Sequence, residues 1–172
     1  MRINENLINL KAPLDTFNGK EFISRDVVGD SALMAFTNQN TFTDPIPELK
    51  KGETYTFSAY IRKIQGKSDL ITISAGDRTE LFDLGYTYKR ISITFTYDNF
   101  IKGPYIAIYI GKASETAGNK IAVKFPKIEE GEIATTYLPH KSSVKAENQA
   151  IFPIGGGTEK CILYNSKGGW VL

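Results

Sequence analysis

Tyrosine and arginine side chains at alternating strand positions are the residues of this chain best suited to binding chemistry. A tyrosine ring stacks on the apolar CH face of a pyranose, while guanidinium and phenol groups hydrogen-bond sugar hydroxyls. The pattern therefore predicts a carbohydrate-binding surface made of Tyr60, Arg62, Tyr88, Arg90, Tyr105 and Tyr109. Two other interpretations stay open: a contact surface for another protein, and the simple preference of tyrosine for half-exposed strands.

Residue types needed for catalysis do not group in a recognisable way. The single histidine, His140, lies in a polar segment away from any Ser or Cys placed as a nucleophile. The triple glycine at 155–157 follows no strand–helix pattern of a phosphate-binding loop. We interpret the clustered acidic residues as solvated turn and strand-end positions rather than as a glycosidase pair; they are Asp77, Glu80, Asp83, Glu129 and Glu130. No catalytic residue is predicted, and we expect a protein that is not an enzyme.

Composition excludes several other classes of function. One cysteine, Cys161, and one histidine provide neither an intramolecular disulfide nor a zinc site of Cys and His ligands. No run of acidic ligands matches a calcium loop, so neither a metal nor a cofactor is predicted. The 21 basic and 19 acidic residues give a net charge of +2, and the basic residues are scattered, so we expect no nucleic-acid binding.

Targeting signals are also missing. No apolar run approaches the roughly 18 residues of a membrane helix, which predicts no membrane insertion. The first residues, MRINENLINLKAPLD, lack the features of a secretory signal. We therefore expect synthesis in the cytoplasm, or trimming of a longer chain.

Strands must position the candidate side chains, because period-two alternation dominates the sequence. Apolar Ile and Phe alternate with polar residues in runs separated by Gly, Asp, Asn and Ser. The spacing predicts about nine short strands, as in sandwiches and barrels: residues 6–11, 21–27, 32–38, 55–64, 70–75, 79–84, 89–97, 105–111 and 120–128. We predict an all-β fold, an antiparallel β-sandwich (jelly roll) with a short C-terminal extension and a β-hairpin.

Domain organisation follows from a change of composition after Gly131. Residues 1–131 are predicted to form the sandwich, and residues 132–150 a polar linker with one or two helical turns over 141–150. Residues 151–172 are predicted to form a hairpin in which KCILY and WVL flank the turn NSKGG. A lone hairpin is marginal in water, so we expect it to lie in an oligomer interface. The predicted interface residues are Ile162, Tyr164 and Trp170.

Three stretches carry a resemblance to a known family: ENLINLKA, KKGETYTFSAYIRK together with YKRISITFTY, and KFPKIEEGEIATTYLPH. They resemble the carbohydrate-binding-module-like jelly rolls of bacteriophage fibre, tail and baseplate proteins and of accessory domains of secreted glycosidases. Tyr88 and Tyr137 stand where that family usually has Trp. The C-terminal GGGTEKCILYNSKGGWVL is similar to a short element of phage head and tail fibres that tends to occur in trimers.

The resemblance implies a virion structural protein, a head-fibre, tail-fibre or baseplate component that displays a carbohydrate-binding-like domain for host-surface adhesion. Its expected partners are other virion proteins and a host-surface glycan, its expected state is a homotrimer, and its expected location is the virion after synthesis in the host cytoplasm. An alternative is a carbohydrate-binding accessory module of a secreted bacterial glycosidase. A third hypothesis, an enzyme such as a glycan lyase or esterase, requires a cleft with a perturbed carboxylate or tyrosine.

Overall fold

A computed structural model describes residues 5–8, 16–17, 20–24, 32–37, 49–98, 104–110, 116–139, 163–164 and 170–171. Every regular element in these ranges is a β-strand. The strands are β1 (Thr16–Phe17), β2 (Phe22–Ile23), β3 (Met34–Thr37), β4 (Thr54–Gln65), β5 (Leu70–Ala75), β6 (Arg78–Asp83), β7 (Lys89–Thr96), β8 (Pro104–Ile110), β9 (Lys120–Glu130), β10 (Leu163–Tyr164) and β11 (Trp170–Val171). Within the described ranges, no helix has the length and apolar character needed to cross a membrane.

Two antiparallel sheets contain the first nine strands. The five-stranded sheet has the order β1-β2-β9-β4-β7, and the four-stranded sheet has the order β3-β8-β5-β6. From β2 to β9 each strand lies in the sheet opposite to its predecessor, except in the β5–β6 hairpin, and this eight-stranded arrangement is that of a jelly roll. A separate antiparallel pair, β10–β11, aligns Tyr164 with Trp170. The predicted all-β sandwich with a C-terminal hairpin is confirmed.

The core lies between the two sheets, where alternate residues of the long strands point inward. Ile61 of β4, Ile93 of β7 and Ile108 of β8 are each at most 1% exposed. Burial of each such side chain contributes about 1.5–3 kcal/mol relative to exposure. The inward faces predicted for β4 and β7 from apolar alternation are those observed, and on β8 the predicted inward isoleucines are buried.

The start of the chain differs from the prediction. Residues 5–8 do not form the strand predicted at 6–11. The Leu7 amide still donates to the Ile128 carbonyl at 2.8 Å, but the buried side chain of Asn6 bonds to the neighbouring backbone, since its Oδ1 accepts from the Ile8 amide at 3.0 Å. The short strand β1 was missed by the sequence pattern, since two residues show no periodicity. Residues 9–11, the end of the predicted strand at 21–27 and the helical turns predicted at 141–150 lie outside the described residues.

Candidate functional site

A β-bulge in β9 shapes the outer face of the five-stranded sheet. Between Ser58 and Tyr60, β4 advances two residues while β9 advances three. The bulged segment of β9 contains Phe125, whose backbone is in the left-handed conformation with a φ of 53°. Residues that carry a side chain rarely adopt this conformation. Neighbours in a regular strand point to opposite faces. Here the bulge lets both Lys124 and Phe125 reach the outer face, where Phe125 is 48% exposed.

Three aromatic rings meet at this bulge and are called the aromatic cluster: Tyr60, Phe125 and Tyr137. The Tyr60 and Phe125 rings are 6.2 Å apart between centroids and nearly perpendicular, and those of Phe125 and Tyr137 are 4.8 Å apart. Burial raises the pKa of Tyr137, so its hydroxyl stays protonated well into the alkaline range. Tyr60 is 37% exposed. The cluster therefore presents apolar ring surface to solvent.

Tyr137 reaches the cluster on a segment called the strap, residues 131–137, which runs back across the outer face of the sheet. The turn into the strap is made at Gly131, whose φ of 93° favours glycine and whose carbonyl accepts from Thr56 Oγ1 at 2.7 Å. The Thr94 hydroxyl donates to the carbonyl of Glu132 at 3.2 Å. These bonds hold the strap to β4 and β7, so the polar segment begins as part of the sandwich surface.

A buried ion pair on β9 holds the strap against the five-stranded sheet. Lys127 Nζ lies 3.0 Å from Glu129 Oε2, and both side chains are fully buried. The Thr135 amide donates to Glu129 Oε1 at 2.9 Å, and Lys127 Nζ donates to the Thr136 carbonyl at 3.1 Å. Buried charges persist only when paired and hydrogen-bonded in this way. The interpretation of Glu129 as a solvated strand-end carboxylate was wrong, because the strap covers it.

Four of the six predicted binding residues come together on the outer face of the five-stranded sheet. Tyr60 and Arg62 lie on β4, Arg90 lies on β7 directly opposite Tyr60, and Tyr88 precedes β7. The guanidinium carbon of Arg62 is 5.3 Å from the centroid of the Tyr88 ring. Glu21 joins them, since the Tyr88 hydroxyl donates to its carboxylate and Arg62 Nη2 lies 3.4 Å from its Oε1.

The other two predicted residues, Tyr105 and Tyr109, lie on β8 in the four-stranded sheet. Tyr109 pairs with Thr72 and is half-buried. Facing sheets of a sandwich are about 10 Å apart, so these residues belong to a different side of the molecule. The six residues therefore do not form one surface, and their role in carbohydrate binding stays a prediction.

Sequence reasoning missed Lys124 and Phe125 as candidate binding residues. Strict alternation would have placed Phe125 in the core with Ile121 and Val123, which are fully buried. The available signal was Pro126, since proline inside a strand is confined to edges and bulges.

Among the described residues, the acidic candidates of β6 and its neighbouring turn occupy structural positions. Asp77 Oδ1 accepts from the Thr96 amide at 2.9 Å as part of a turn, and Glu80 and Asp83 lie on opposite faces of β6 because strand side chains alternate. Among the described residues, no three His, Cys, Asp or Glu side chains are grouped to hold a metal ion. His140, Ile162 and residues 155–157 lie outside the described residues, and the interface role of Tyr164 and Trp170 stays a prediction.

Comparison with known proteins finds similarity to solved structures, each less than 20% identical to this chain in sequence. No protein-family model and no curated protein sequence matches it. The tripod from the baseplate of bacteriophage Tuc2009 is 19% identical, with a TM-score of 0.45, over 83% of this chain and 60% of that chain. The sugar-binding C-terminal domain of EclA is 15% identical, with a TM-score of 0.40, over 70% of this chain and 84% of that domain.

The apo form of BiXyn10A CBM1 is 11% identical to the chain, with a TM-score of 0.40, over 64% of this chain and 74% of that one. The strand order and register described above define the fold of this chain.

Proposed function

We propose that the outer face of the five-stranded sheet binds a carbohydrate and that the chain is a non-catalytic binding module. The observation that carries this proposal is the aromatic cluster, in which Phe125 is 48% exposed beside Tyr60. A left-handed conformation costs a side-chain-bearing residue about 1–3 kcal/mol, and glycine would adopt it without that cost. Packing alone does not account for a large exposed ring at this position, whereas stacking on a sugar does.

Hydrogen-bond donors flank the ring of Tyr60 on both sides. Arg90 and Lys124 are the cross-strand neighbours of Tyr60 on its two sides. The outer face of the four-stranded sheet is a weaker candidate, because Ser74 and Thr79 bond to each other across the strands at 3.1 Å and Tyr109 is half-buried. The proposal therefore assigns binding to the five-stranded face.

We also propose a virion setting, as a head-fibre, tail-fibre or baseplate component that contributes to host-surface adhesion. The resemblance of the C-terminal GGGTEKCILYNSKGGWVL to an element of phage head and tail fibres supports it. The hairpin β10–β11 is too small to be stable alone, which supports association with copies of itself or with other virion proteins. An accessory module of a secreted glycosidase remains the alternative setting, with the same binding face.

A glycan array tests the binding face directly. Tyr60→Ala and Phe125→Ala should each weaken binding to the positive glycans by about tenfold or more, which corresponds to about 1.4 kcal/mol for a lost stacking contact. Tyr109→Ala is the matched control, since it makes a tyrosine-to-alanine change on the opposite sheet, and it should bind as the wild type does. Circular dichroism establishes that each variant is folded.

Two results would contradict the proposal. Unchanged binding in both cluster variants, or a loss confined to Tyr109→Ala, would remove the five-stranded face as the binding surface. Chemical turnover of any bound glycan would overturn the non-catalytic assignment.

A further inference from the structure

Positive charge surrounds the aromatic cluster on both sides. Arg90 on β7 and Lys124 on β9 are each directly opposite Tyr60 in the sheet. Directly opposite residues in an antiparallel pair have Cβ atoms about 4.5–5.5 Å apart. A ligand stacked on the ring of Tyr60 therefore lies within reach of a guanidinium on one side and an ammonium on the other.

Two carboxylates of this face, those of Glu21 and Glu129, are already engaged. Glu129 is buried in its pair with Lys127, and Glu21 accepts bonds from Arg62 and Tyr88. In the part of the chain that the structure describes, no carboxylate lies within ion-pairing distance of Arg90 or Lys124.

The two cations have contacts that leave their charges uncompensated. Lys124 Nζ lies 4.2 Å from the centroid of the Tyr88 ring, and Arg90 donates one N–H to the carbonyl of Thr135. A guanidinium has five N–H donors, so Arg90 retains donors for a ligand.

The hydrogen-bonding capacity of these groups selects among sugars. Arg and Lys only donate, whereas a neutral sugar hydroxyl both donates and accepts and is best matched by a mixture of donors and free acceptors. The carboxylates of Glu21 and Glu129, which could have accepted from such a hydroxyl, are engaged. Oxygens of a carboxylate, sulfate or phosphate group only accept, and they form the stronger charge-assisted bonds with guanidinium and ammonium groups.

We infer that the carbohydrate bound by this face carries an acidic substituent, which Arg90 and Lys124 bind while Tyr60 and Phe125 stack on the sugar ring. This inference rests on the proposed function and specifies its ligand class as an anionic glycan.

Matched polymers that differ only in charge test the inference. Binding is measured for polygalacturonate and its methyl ester, for dextran sulfate and dextran, and for phosphomannan and mannan, alongside the positive glycans of the array. The array positives should be acidic, and within a bound pair the acidic member should bind at least about tenfold more tightly. The three pairs distinguish a carboxylate, a sulfate and a phosphate as the recognised group. Affinity for the acidic member should fall as NaCl rises from about 0.05 to about 0.5 M.

Charge-removing variants assign the effect to the site. Arg90→Gln and Lys124→Gln should each lower affinity for the acidic glycan by about tenfold, the scale of one charge-assisted hydrogen bond. Lys67→Gln is the matched control, because it removes the same charge from the exposed β4–β5 connection and should not change binding.

The possible failures are distinguishable. If Tyr60→Ala and Phe125→Ala abolish binding while neutral and acidic glycans bind equally, or while both charge variants bind as the wild type does, the inference is overturned and the proposed function stands. If Lys67→Gln loses as much affinity as Arg90→Gln, the attraction is unspecific and the inference is overturned. If no glycan binds, or both aromatic variants retain full affinity, the proposed function and the inference fail together.

Discussion

Substitution of Lys127 by methionine tests whether the buried ion pair holds the strap on the sheet. Methionine keeps an unbranched side chain but removes the ammonium group, which lies 3.0 Å from Glu129 Oε2 and 3.1 Å from the Thr136 carbonyl. The Lys127 and Glu129 side chains are fully buried. The variant therefore leaves a buried carboxylate without its counter-charge.

The expected cost follows from that uncompensated charge. Removal of one partner of a buried ion pair typically destabilises a protein by about 3–5 kcal/mol. Glu129 retains two hydrogen bonds from Thr135, from its amide at 2.9 Å and from its hydroxyl at 2.5 Å, so we expect the lower part of that range, about 3–4 kcal/mol. A loss of this size is a large fraction of the 5–15 kcal/mol that typically stabilises a domain, and it lowers Tm by roughly 10 °C.

Urea unfolding followed by circular dichroism measures the loss. Lys51→Met is the matched control, because Lys51 pairs with Asp98 at 3.5 Å with both side chains more than 60% exposed, and it should cost less than about 1 kcal/mol. The double variant Lys127→Met, Glu129→Leu removes both charges and should regain most of the lost stability. A cost below about 1 kcal/mol for Lys127→Met, or a double variant no more stable than the single one, would refute the reasoning.

Four further outcomes are expected. Phe125→Gly relieves the left-handed backbone but removes the ring contacts, so the free energy of unfolding should change by less than about 1 kcal/mol while glycan binding is lost; retained binding would contradict the role of the ring. Asn6→Ala leaves buried backbone groups of β9 without a side-chain partner and should cost about 2–4 kcal/mol in chemical denaturation. Burial raises the pKa of Tyr137 above the 10.0 of an unperturbed tyrosine, so above pH 10 the folded chain keeps a proton that the unfolded chain loses. The free energy of unfolding should therefore not depend on this group below pH 10 and should fall as the pH rises above 10. Tyr137→Phe should flatten that alkaline loss in denaturation curves, leaving the separate contribution of Lys63, whose pKa is raised by its hydrogen bond to Asp69. Light scattering should give three times the 19.1 kDa chain mass for the full chain and a monomer after removal of residues 151–172; a monomeric full chain would contradict the oligomer interface.

Apolar alternation was sufficient to predict strands β4 and β7 and their faces. Ile91, Ile93 and Phe95 were expected to point inward, and all three are at most 2% exposed. The same pattern correctly placed Tyr60 and Arg90 on the outward side. Such predictions succeed because the side-chain period of a strand is a local property of the backbone, and a slip by one residue would expose the whole apolar set.

The composition of the candidate site depended on which strands became neighbours. Tyr109 alternates in the same way as Tyr60, yet β8 lies in the four-stranded sheet and carries Tyr109 away from the aromatic cluster. The pairing of β4 with both β7 and β9 is what places Arg90 and Lys124 beside Tyr60. Sheet order is set by contacts between distant parts of the chain, and the local periodicity of a sequence does not predict such contacts.

The sequence by itself therefore determined the all-β class, the inward and outward faces of β4 and β7 and the C-terminal hairpin, because each depends on residues close together in the chain. Only the tertiary structure decided the bulge that exposes Phe125 and the burial of Glu129 under the strap. It also decided the contact of Asn6 with the bulged strand, in which Asn6 Oδ1 accepts from the Ile128 amide 122 residues away. These features depend on close packing between distant segments, where the polar groups that a bulge or a buried charge leaves unpaired must find partners elsewhere in the fold.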